Sequence, residues 1–167
     1  DVCLRSIGEY SHLKELRIDG ARAVGDRGMA HLASRDCPLV LLILHDTSVR
    51  GKGLANLTRL KKLKHLQLEG DRNNGLDDHD IEELAALKQL VNLELNGQVN
   101  LTDESVRSLS SLPNLQVLNL AYTGITARSI SLLEKYPALR IVNLSACPKL
   151  KDAQKRLLEK KGLILAD

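Results

Sequence analysis

The chain has 167 residues, which is enough for one domain with a sizeable core. Its formal net charge of +3 is too small to indicate a nucleic-acid or membrane partner by itself. Leucine accounts for 35 residues, whereas phenylalanine and tryptophan are absent. This composition indicates a core that repeats one aliphatic packing arrangement instead of depending on a few aromatic side chains.

The cysteines and the hydropathy pattern indicate in which cellular compartment the protein is expected and whether it spans a membrane. Cys3, Cys37 and Cys147 are odd in number and widely spaced, which is not typical of a disulfide framework and favours an intracellular compartment, cytoplasmic or nuclear. No apolar run approaches the ~18 residues of a membrane span, and no signal peptide is visible, so we expect no membrane partner. Because the chain starts with Asp1 and not with Met, we expect a piece of a longer protein.

The pattern L-x-x-L-x-L occurs six times along the chain, with Ile18 at the third apolar position of the first copy and Val142 at the second of the last. The copies start at Leu13, Leu39, Leu63, Leu90, Leu115 and Leu139, at intervals of 24 to 27 residues. In each copy the alternating leucines are typical of a short strand. An apolar residue follows, and then an apolar stripe with a spacing of three, as in Val106, Leu109 and Leu112, which is typical of a short helix.

One strand and one helix cannot bury their apolar edges alone, but stacked copies can. A helix is wider than a strand, ~10 Å against ~4.8 Å, so the stack must curve with its strands on the inside. We therefore predict a single α/β domain over residues 1–167. It should be a right-handed horseshoe-shaped solenoid with a parallel sheet on the concave side and helices on the convex side.

The two ends of the array depart from the repeat. Residues 2–12 have the spacing of a repeat helix without its strand, so they are either the end of a preceding repeat or an N-terminal cap. Residues 151–167 predict a basic capping helix, a stop at Gly162 and a short final strand. Within the repeats, polar residues at the predicted helix starts should cap the helices: Asp26, Asp77, Thr102, Thr126 and Asp152.

The six copies resemble the leucine-rich repeat family over essentially the whole chain. The stretches DCPLVLLIL (36–44) and NLSACPKLKDA (143–153) resemble the cysteine-containing repeats of F-box proteins, within the ribonuclease-inhibitor-like subclass. The position of Cys147 is occupied in the other copies by Ala21, Thr47, Asp71, Gln98 and Thr123. The resemblance implies a protein-binding scaffold and, by analogy, a part in a ubiquitin ligase.

The strand residues between the leucines should face the concave solvent side. We predict that a protein partner contacts Arg17, Asp19, Ile43, His45, His65, Gln67, Glu69, Glu94, Asn96, Val117, Asn119, Tyr122, Ile141 and Asn143. The acidic stretch 69–83, which follows the third strand, should extend this surface along the rim and favour a basic partner.

The sequence gives little reason to expect chemistry. His45 and His65, with Asp19 and Glu69, could lie on adjacent strands, but strand neighbours commonly pair for structural reasons. The loop from Asp71 to Glu82 nearly matches a calcium loop, but its glycine is displaced by one position. We therefore predict no metal, cofactor or small-molecule substrate, and no enzymatic activity.

Three interpretations of the function remain. The first is a protein-interaction module that uses the concave face and the acidic rim, as the substrate-recognition arm of a larger assembly such as a ubiquitin ligase. The second is an architectural subunit of a large complex. The third, which we favour least, is nucleic-acid contact through the basic C-terminal helix, where residues 149–161 contain six Lys or Arg.

Overall fold

The computed structural model describes residues 1–33, 37–70, 75–160 and 162–166. Over these ranges, strands and helices alternate along the chain. The strands are β1 (Glu15–Asp19), β2 (Leu41–His45), β3 (His65–Glu69), β4 (Asn92–Glu94), β5 (Val117–Asn119), β6 (Ile141–Asn143) and β7 (Ile164–Ala166). The helices are α1 (Val2–Ile7), α2 (Asp26–Leu32), α3 (Gly51–Asn56), α4 (Asp78–Glu82), α5 (Asp103–Leu109), α6 (Arg128–Leu133) and α7 (Asp152–Glu159).

The strands form one parallel sheet in which their order is the chain order, from β1 to β7. Each strand pairs with the next so that equivalent residues lie side by side. The resulting inward-facing row consists of Leu16, Leu42, Leu66, Leu93, Leu118, Val142 and Leu165. This row confirms the predicted α/β solenoid, in which neighbouring repeats share a continuous leucine spine.

The core lies between the sheet and the helices. Alternate strand residues are buried, and the apolar stripe of each helix faces them. Leu93, Leu118, Val106 and Leu109 have no exposed surface. Burial of one leucine side chain stabilises the fold by roughly 1.5–3 kcal/mol, so the repeated leucines supply most of the stabilisation.

The helices are short, and two continue as 3₁₀ turns, Leu57–Arg59 and Glu83–Ala86. Their N-termini partly match the predicted caps. Asp77 accepts a hydrogen bond from the Asp80 amide, and Thr102 accepts one from the Glu104 amide. The Thr126 hydroxyl also accepts one from the Arg128 amide, at 3.3 Å, but Ala127 and not Thr126 occupies the cap position of α6.

Asp26 and Asp152 were wrongly predicted to be caps. Both lie inside the first turn of their helices, and Gly25 and Lys151 occupy the cap positions. Asp26 uses its carboxylate to accept a hydrogen bond from the Arg50 amide of the next repeat, at 2.7 Å. It therefore joins two repeats instead of capping its own helix.

Aspartates at other helix starts make the same kind of connection between repeats. Asp78 accepts hydrogen bonds from the amide and hydroxyl of Thr102, at 2.9 and 2.6 Å, and from Ser105. Asp103 repeats this arrangement with Thr126, at 2.8 and 2.6 Å, and with the Ser129 hydroxyl. Each carboxylate thus satisfies donors at the N-terminus of the following helix, which have no partner within that helix.

The two ends of the solenoid are covered differently. At the β1 end, Leu13, Leu16 and Ile18 remain half-buried, because β1 has a neighbouring strand on one side only. At the other end, α7 packs against α6 and β7 pairs with β6, so that Val142 and Leu158 are fully buried. Within the described ranges, no helix is long and apolar enough to cross a membrane.

Candidate functional site

The parallel register arranges the outward-facing strand residues in three rows across the concave face. The first row is Glu15, Leu41, His65, Asn92, Val117, Ile141 and Ile164. The second row is Arg17, Ile43, Gln67, Glu94, Asn119, Asn143 and Ala166. The third row contains Asp19, His45 and Glu69, and Asn96 follows in the next repeat, where its carbonyl accepts from the Gly70 amide.

A histidine between two carboxylates dominates the third row. His45 Nδ1 lies 3.0 Å from Asp19 Oδ1, and His45 Nε2 lies 3.4 Å from Glu69 Oε2. The Arg17 guanidinium is 2.6 Å from the same Asp19 side chain. These contacts hold the His45 ring in a largely buried position, with 17% of its side chain exposed, while both carboxylates stay about half exposed.

The middle of the concave face contains hydrogen-bond acceptors that the fold does not use. Asn92 Oδ1 and Asn96 Oδ1 are buried atoms without a hydrogen-bond partner in the part of the chain that the structure describes. Glu94 lies between them in sequence and, among the described residues, accepts only a long hydrogen bond of 3.4 Å from Asn92 Nδ2. A buried acceptor without a partner is costly, so this region favours a ligand that brings donors.

The C-terminal half of the first row is apolar. Val117, Ile141 and Ile164 lie side by side on β5, β6 and β7. The first two side chains are half-buried, and Ile164 is 61% exposed. A second apolar pair, Leu41 and Ile43, lies on β2 and is also half-buried.

Two of the predicted site asparagines have a structural use. Asn119 Oδ1 accepts a hydrogen bond from the Ala121 amide, at 3.0 Å. Asn143 Oδ1 accepts from the Ser145 amide and hydroxyl, at 2.8 and 2.6 Å. Both side chains therefore hold the chain turn at the ends of β5 and β6, and their oxygens are less available to a partner.

Tyr122 follows β5 at the rim, where its side chain is half exposed and its φ is 58°. The same left-handed conformation occurs at Asp46 and Ala146, which follow β2 and β6. The turn after each of these strands therefore requires an unusual backbone conformation. At Tyr122 this conformation places a large aromatic side chain in solvent beside the concave face.

Much of the acidic rim is occupied by internal bonds. Asp77 and Asp80 form a reciprocal capping box at α4, and Asp80 also accepts a hydrogen bond from the Gly51 amide, at 2.6 Å. Asp78 accepts from the next repeat, as described above. Residues 71–74 of the predicted rim lie outside the described residues. Among the rim residues described after position 74, Glu82 and Glu83 are the exposed carboxylates that do not cap a helix.

The structure also bears on the metal-binding alternatives. His65 lies in the first row, away from the third-row cluster of Asp19, His45 and Glu69. The described part of the chain holds no group of three or more His, Cys, Asp or Glu side chains that could bind a metal ion. The calcium-loop positions Asp71 and Asn73 lie outside the described residues.

The predicted site residues do not include five residues that the sheet places on this face, which are Glu15, Leu41, Asn92, Ile164 and Ala166. Asn92 begins β4 and carries an unsatisfied oxygen, and Ile164 extends the apolar row. The alternation in Leu163, Ile164 and Leu165 could have indicated that the middle residue faces outward. No sequence signal distinguishes the oxygen of Asn92 from that of Asn119, because the difference depends on local hydrogen bonding.

No family model and no curated protein matches this sequence. Solved structures do match. The crystal structure of internalin C2 from Listeria monocytogenes is 22% identical with a TM-score of 0.55, covering 81% of this chain and 68% of that chain. The crystal structure of the yeast Rad7 and Elc1 complex gives a TM-score of 0.73 at 22% identity, covering 95% of this chain and 42% of that chain.

These likenesses concern the fold. They agree with the open parallel sheet and its alternating helices, which form an α/β leucine-rich-repeat solenoid. The chain spans less than half of the length of the chain that it matches in the Rad7 and Elc1 complex. A shared fold does not by itself determine a function.

Proposed function

We propose that the chain is a protein–protein interaction module that binds its partner with the concave face of the sheet. The unsatisfied oxygens of Asn92 and Asn96 in the middle of that face carry the proposal. Outward-facing strand residues, either exposed or half-buried, extend across all seven strands beside them, and half-buried aliphatic side chains interrupt the polar ones. Polar groups around apolar contact points are typical of surfaces that bind another protein.

We further propose that this module selects the substrate within a larger assembly, such as a ubiquitin ligase. Two observations support this role. The cysteine-containing stretches resemble the repeats of F-box proteins, and Cys147 is buried, with its sulfur 3.1 Å from the Leu120 carbonyl. In addition, a chain of similar fold occurs in the crystal structure of the yeast Rad7 and Elc1 complex.

The concave surface can be tested by capture of a partner with matched variants. Ile43→Glu combined with Val117→Glu places two charges among the half-buried aliphatic residues of the sheet face. We expect this double variant to lose partner capture, because a charge without a counter-charge opposes burial at an interface.

The control for this experiment changes two exposed aliphatic residues outside the strands. Val99→Glu combined with Leu157→Glu makes the same chemical change at positions that are 39% and 46% exposed. Both double variants are compared with the wild type by circular dichroism and thermal melting before capture is measured. Equal capture by a folded concave variant and by the control would place the contact surface elsewhere.

A separate structural observation favours the alternative function, an architectural subunit of a large complex. At the β1 end of the solenoid, Leu13, Leu16 and Ile18 are half-buried, and Tyr10 is 66% exposed. Such an apolar end could be fixed against another subunit. Substitution Tyr10→Glu separates the two functions, because it would abolish assembly through this end and leave binding at the concave face unchanged.

A further inference from the structure

The concave face divides into two chemically different halves along the sheet. From β1 to β4, its outward residues include the carboxylates of Glu15, Asp19, Glu69 and Glu94 against the single guanidinium of Arg17. From β5 to β7, the outward strand residues carry no charged group. The acidic half contrasts with the formal charge of the whole chain, which is +3.

The acidic half contains carboxylate and amide oxygens that the fold does not fully use. Glu94 is half-buried and makes no ion pair with any residue that the structure describes, and Asp19 already shares its carboxylate with Arg17 and His45. Asn92 Oδ1 and Asn96 Oδ1 add two unsatisfied acceptors beside Glu94. Guanidinium and ammonium groups supply several donors together with a positive charge, so they complement this surface better than neutral or acidic side chains do.

The other half offers an apolar contact. Val117, Ile141 and Ile164 form a continuous strip across β5, β6 and β7, and Ile164 is the most exposed of the three. An aliphatic or aromatic side chain placed on this strip would remove apolar surface from water. The strip begins on the strand next to Glu94, because β4 pairs directly with β5.

The strand spacing sets the separation between the two kinds of contact. Val117 is one strand from Glu94, and Ile164 is three strands away. With ~4.8 Å between strands, the distance along the sheet is about 5 to 14 Å. An extended peptide covers that distance in about two to four residues.

We infer that the partner segment is a cationic peptide whose Lys or Arg side chains contact Glu69, Glu94 and the asparagine oxygens, while an aliphatic or aromatic side chain nearby in its sequence contacts the Val117–Ile141–Ile164 strip. The charge of the acidic half and the uncharged strip beside it are the observations that carry this inference. It rests on the proposed function, since it names the chemistry of the partner that the concave face would bind.

A phage-displayed library of random peptides, long enough to cross the sheet, tests the inference on the whole chain. We expect peptides enriched on the wild type to contain an excess of Lys and Arg. They should also carry an aliphatic or aromatic residue about two to four positions from a basic one. Enriched peptides without a basic excess would overturn the inference.

Two pairs of variants assign the contacts of the enriched peptides. Glu69→Gln combined with Glu94→Gln should weaken binding about tenfold and reduce its salt dependence, because two partly exposed ion pairs are lost. Glu104→Gln combined with Glu134→Gln removes the same charge at exposed positions at the ends of α5 and α6, outside the concave face and the acidic rim, and should leave binding unchanged. Likewise, Ile164→Ser should weaken binding, whereas Leu157→Ser, at a comparably exposed position on α7, should not.

The outcomes separate this inference from the function on which it rests. Peptides that lose binding to the Ile43→Glu/Val117→Glu variant but are insensitive to the Glu69/Glu94 pair would overturn the cationic partner and support concave binding. Peptides whose binding is unchanged by every substitution on the concave face, or a library in which nothing is enriched, would overturn both the cationic partner and binding at the concave face. An equal loss of binding in the Glu104/Glu134 control would show a general charge effect and overturn the proposed contacts.

Discussion

Leu118 lies in the centre of the leucine row and has no exposed surface. Replacement by alanine should leave a cavity between β4 and β6 that the neighbouring leucines cannot fill. We expect Leu118→Ala, and equally Leu93→Ala, to lower the free energy of unfolding by about 2–5 kcal/mol. Urea denaturation measures this loss, with Val99→Ala, at a 39% exposed position, as a control. Native-like stability of Leu118→Ala would contradict the claim that neighbouring repeats are stabilised by a continuous leucine spine.

Tyr136 supplies a hydrogen bond between two neighbouring repeats. Its hydroxyl donates to the Val106 carbonyl at 2.6 Å, and burial of the side chain raises the pKa of this phenol well above its ordinary value. Tyr136→Phe leaves the carbonyl without this donor and should lower the free energy of unfolding by about 1–2 kcal/mol. The control Tyr10→Phe, at a 66% exposed position, should have no measurable effect on the same denaturation curve. Equal stability of both variants would show that the bond contributes nothing.

At the residue level, the sequence predicts which strand residues face outward better than it predicts which of their polar atoms are free to bind a partner. The period of two correctly indicates that Gln67, Glu94 and Asn119 share one row across the sheet. It cannot tell that Asn119 holds a turn, whereas Asn96 leaves its oxygen unsatisfied. Both asparagines occupy polar positions after a leucine, and only the path of the following backbone separates their roles.

Among the secondary-structure elements, the aspartates at the helix N-termini connect one repeat to the next. Partial burial by itself would raise the pKa of Asp103, but hydrogen bonds from Ser129 and Thr126 outweigh it and leave the pKa below its ordinary value. Asp78 has a lowered pKa for the same reasons, with Ser105 and Thr102 as donors. Both carboxylates are therefore stabilised in the charged form by the helix that follows.

This arrangement predicts how stability depends on acid. A carboxyl with a lower pKa in the folded state stabilises the protein above its unfolded pKa, ~3.9, and this contribution is lost as the pH falls through the folded pKa. Asp103→Asn should therefore be less stable than the wild type at neutral pH, by about 1–3 kcal/mol. It should also lose less stability than the wild type on acidification below about pH 4.

Urea midpoints measured from neutral to acidic pH test this prediction. Asp152→Asn is the matched control, because the Asp152 side chain is 84% exposed and lies in the first turn of α7. We expect its acid profile to follow that of the wild type. An Asp103→Asn profile that is parallel to both would show that the carboxylate does not contribute through its charge.

The caps illustrate what the sequence can predict about an element. A polar residue before an apolar stripe marks a helix start correctly at Asp77 and Thr102. The same signal is misplaced by one residue at Asp26, because Gly25 takes the cap position and the aspartate reaches the neighbouring repeat. A local sequence pattern contains no information about contacts between repeats. The start of a helix can therefore be predicted more reliably than the hydrogen bonds that the side chains at that start make.

Across the whole molecule, stability should vary from one end of the stack to the other. Each repeat contacts mainly its neighbours, and β1 has a paired strand on one side only. Leu16 and Ile18 are half-buried at that end, whereas Leu93 and Leu95 in the middle have no exposed surface. We expect amides of β1 to exchange with deuterium faster than those of β4 under native conditions. Equal protection of both strands would indicate that the stack opens only as one unit.

The overall architecture was the most predictable level, because six copies of one pattern determine a fold more strongly than any single segment. The order of the strands and the leucine row follow directly from stacking identical units. The division of the concave face into an acidic and an apolar half depends instead on residues that vary between copies, such as Glu94 and Ile141. It becomes visible only when the register sets these residues side by side.

The most direct measurement of the central claim is a chemical-shift titration of the isotopically labelled chain with the partner segment that it captures. If the concave face is the contact surface, the perturbed amides will cluster on β2 to β6, with the largest changes near Ile43, Glu94 and Val117. A cluster of perturbed amides on α2 to α6, with the strand amides unchanged, would contradict this account.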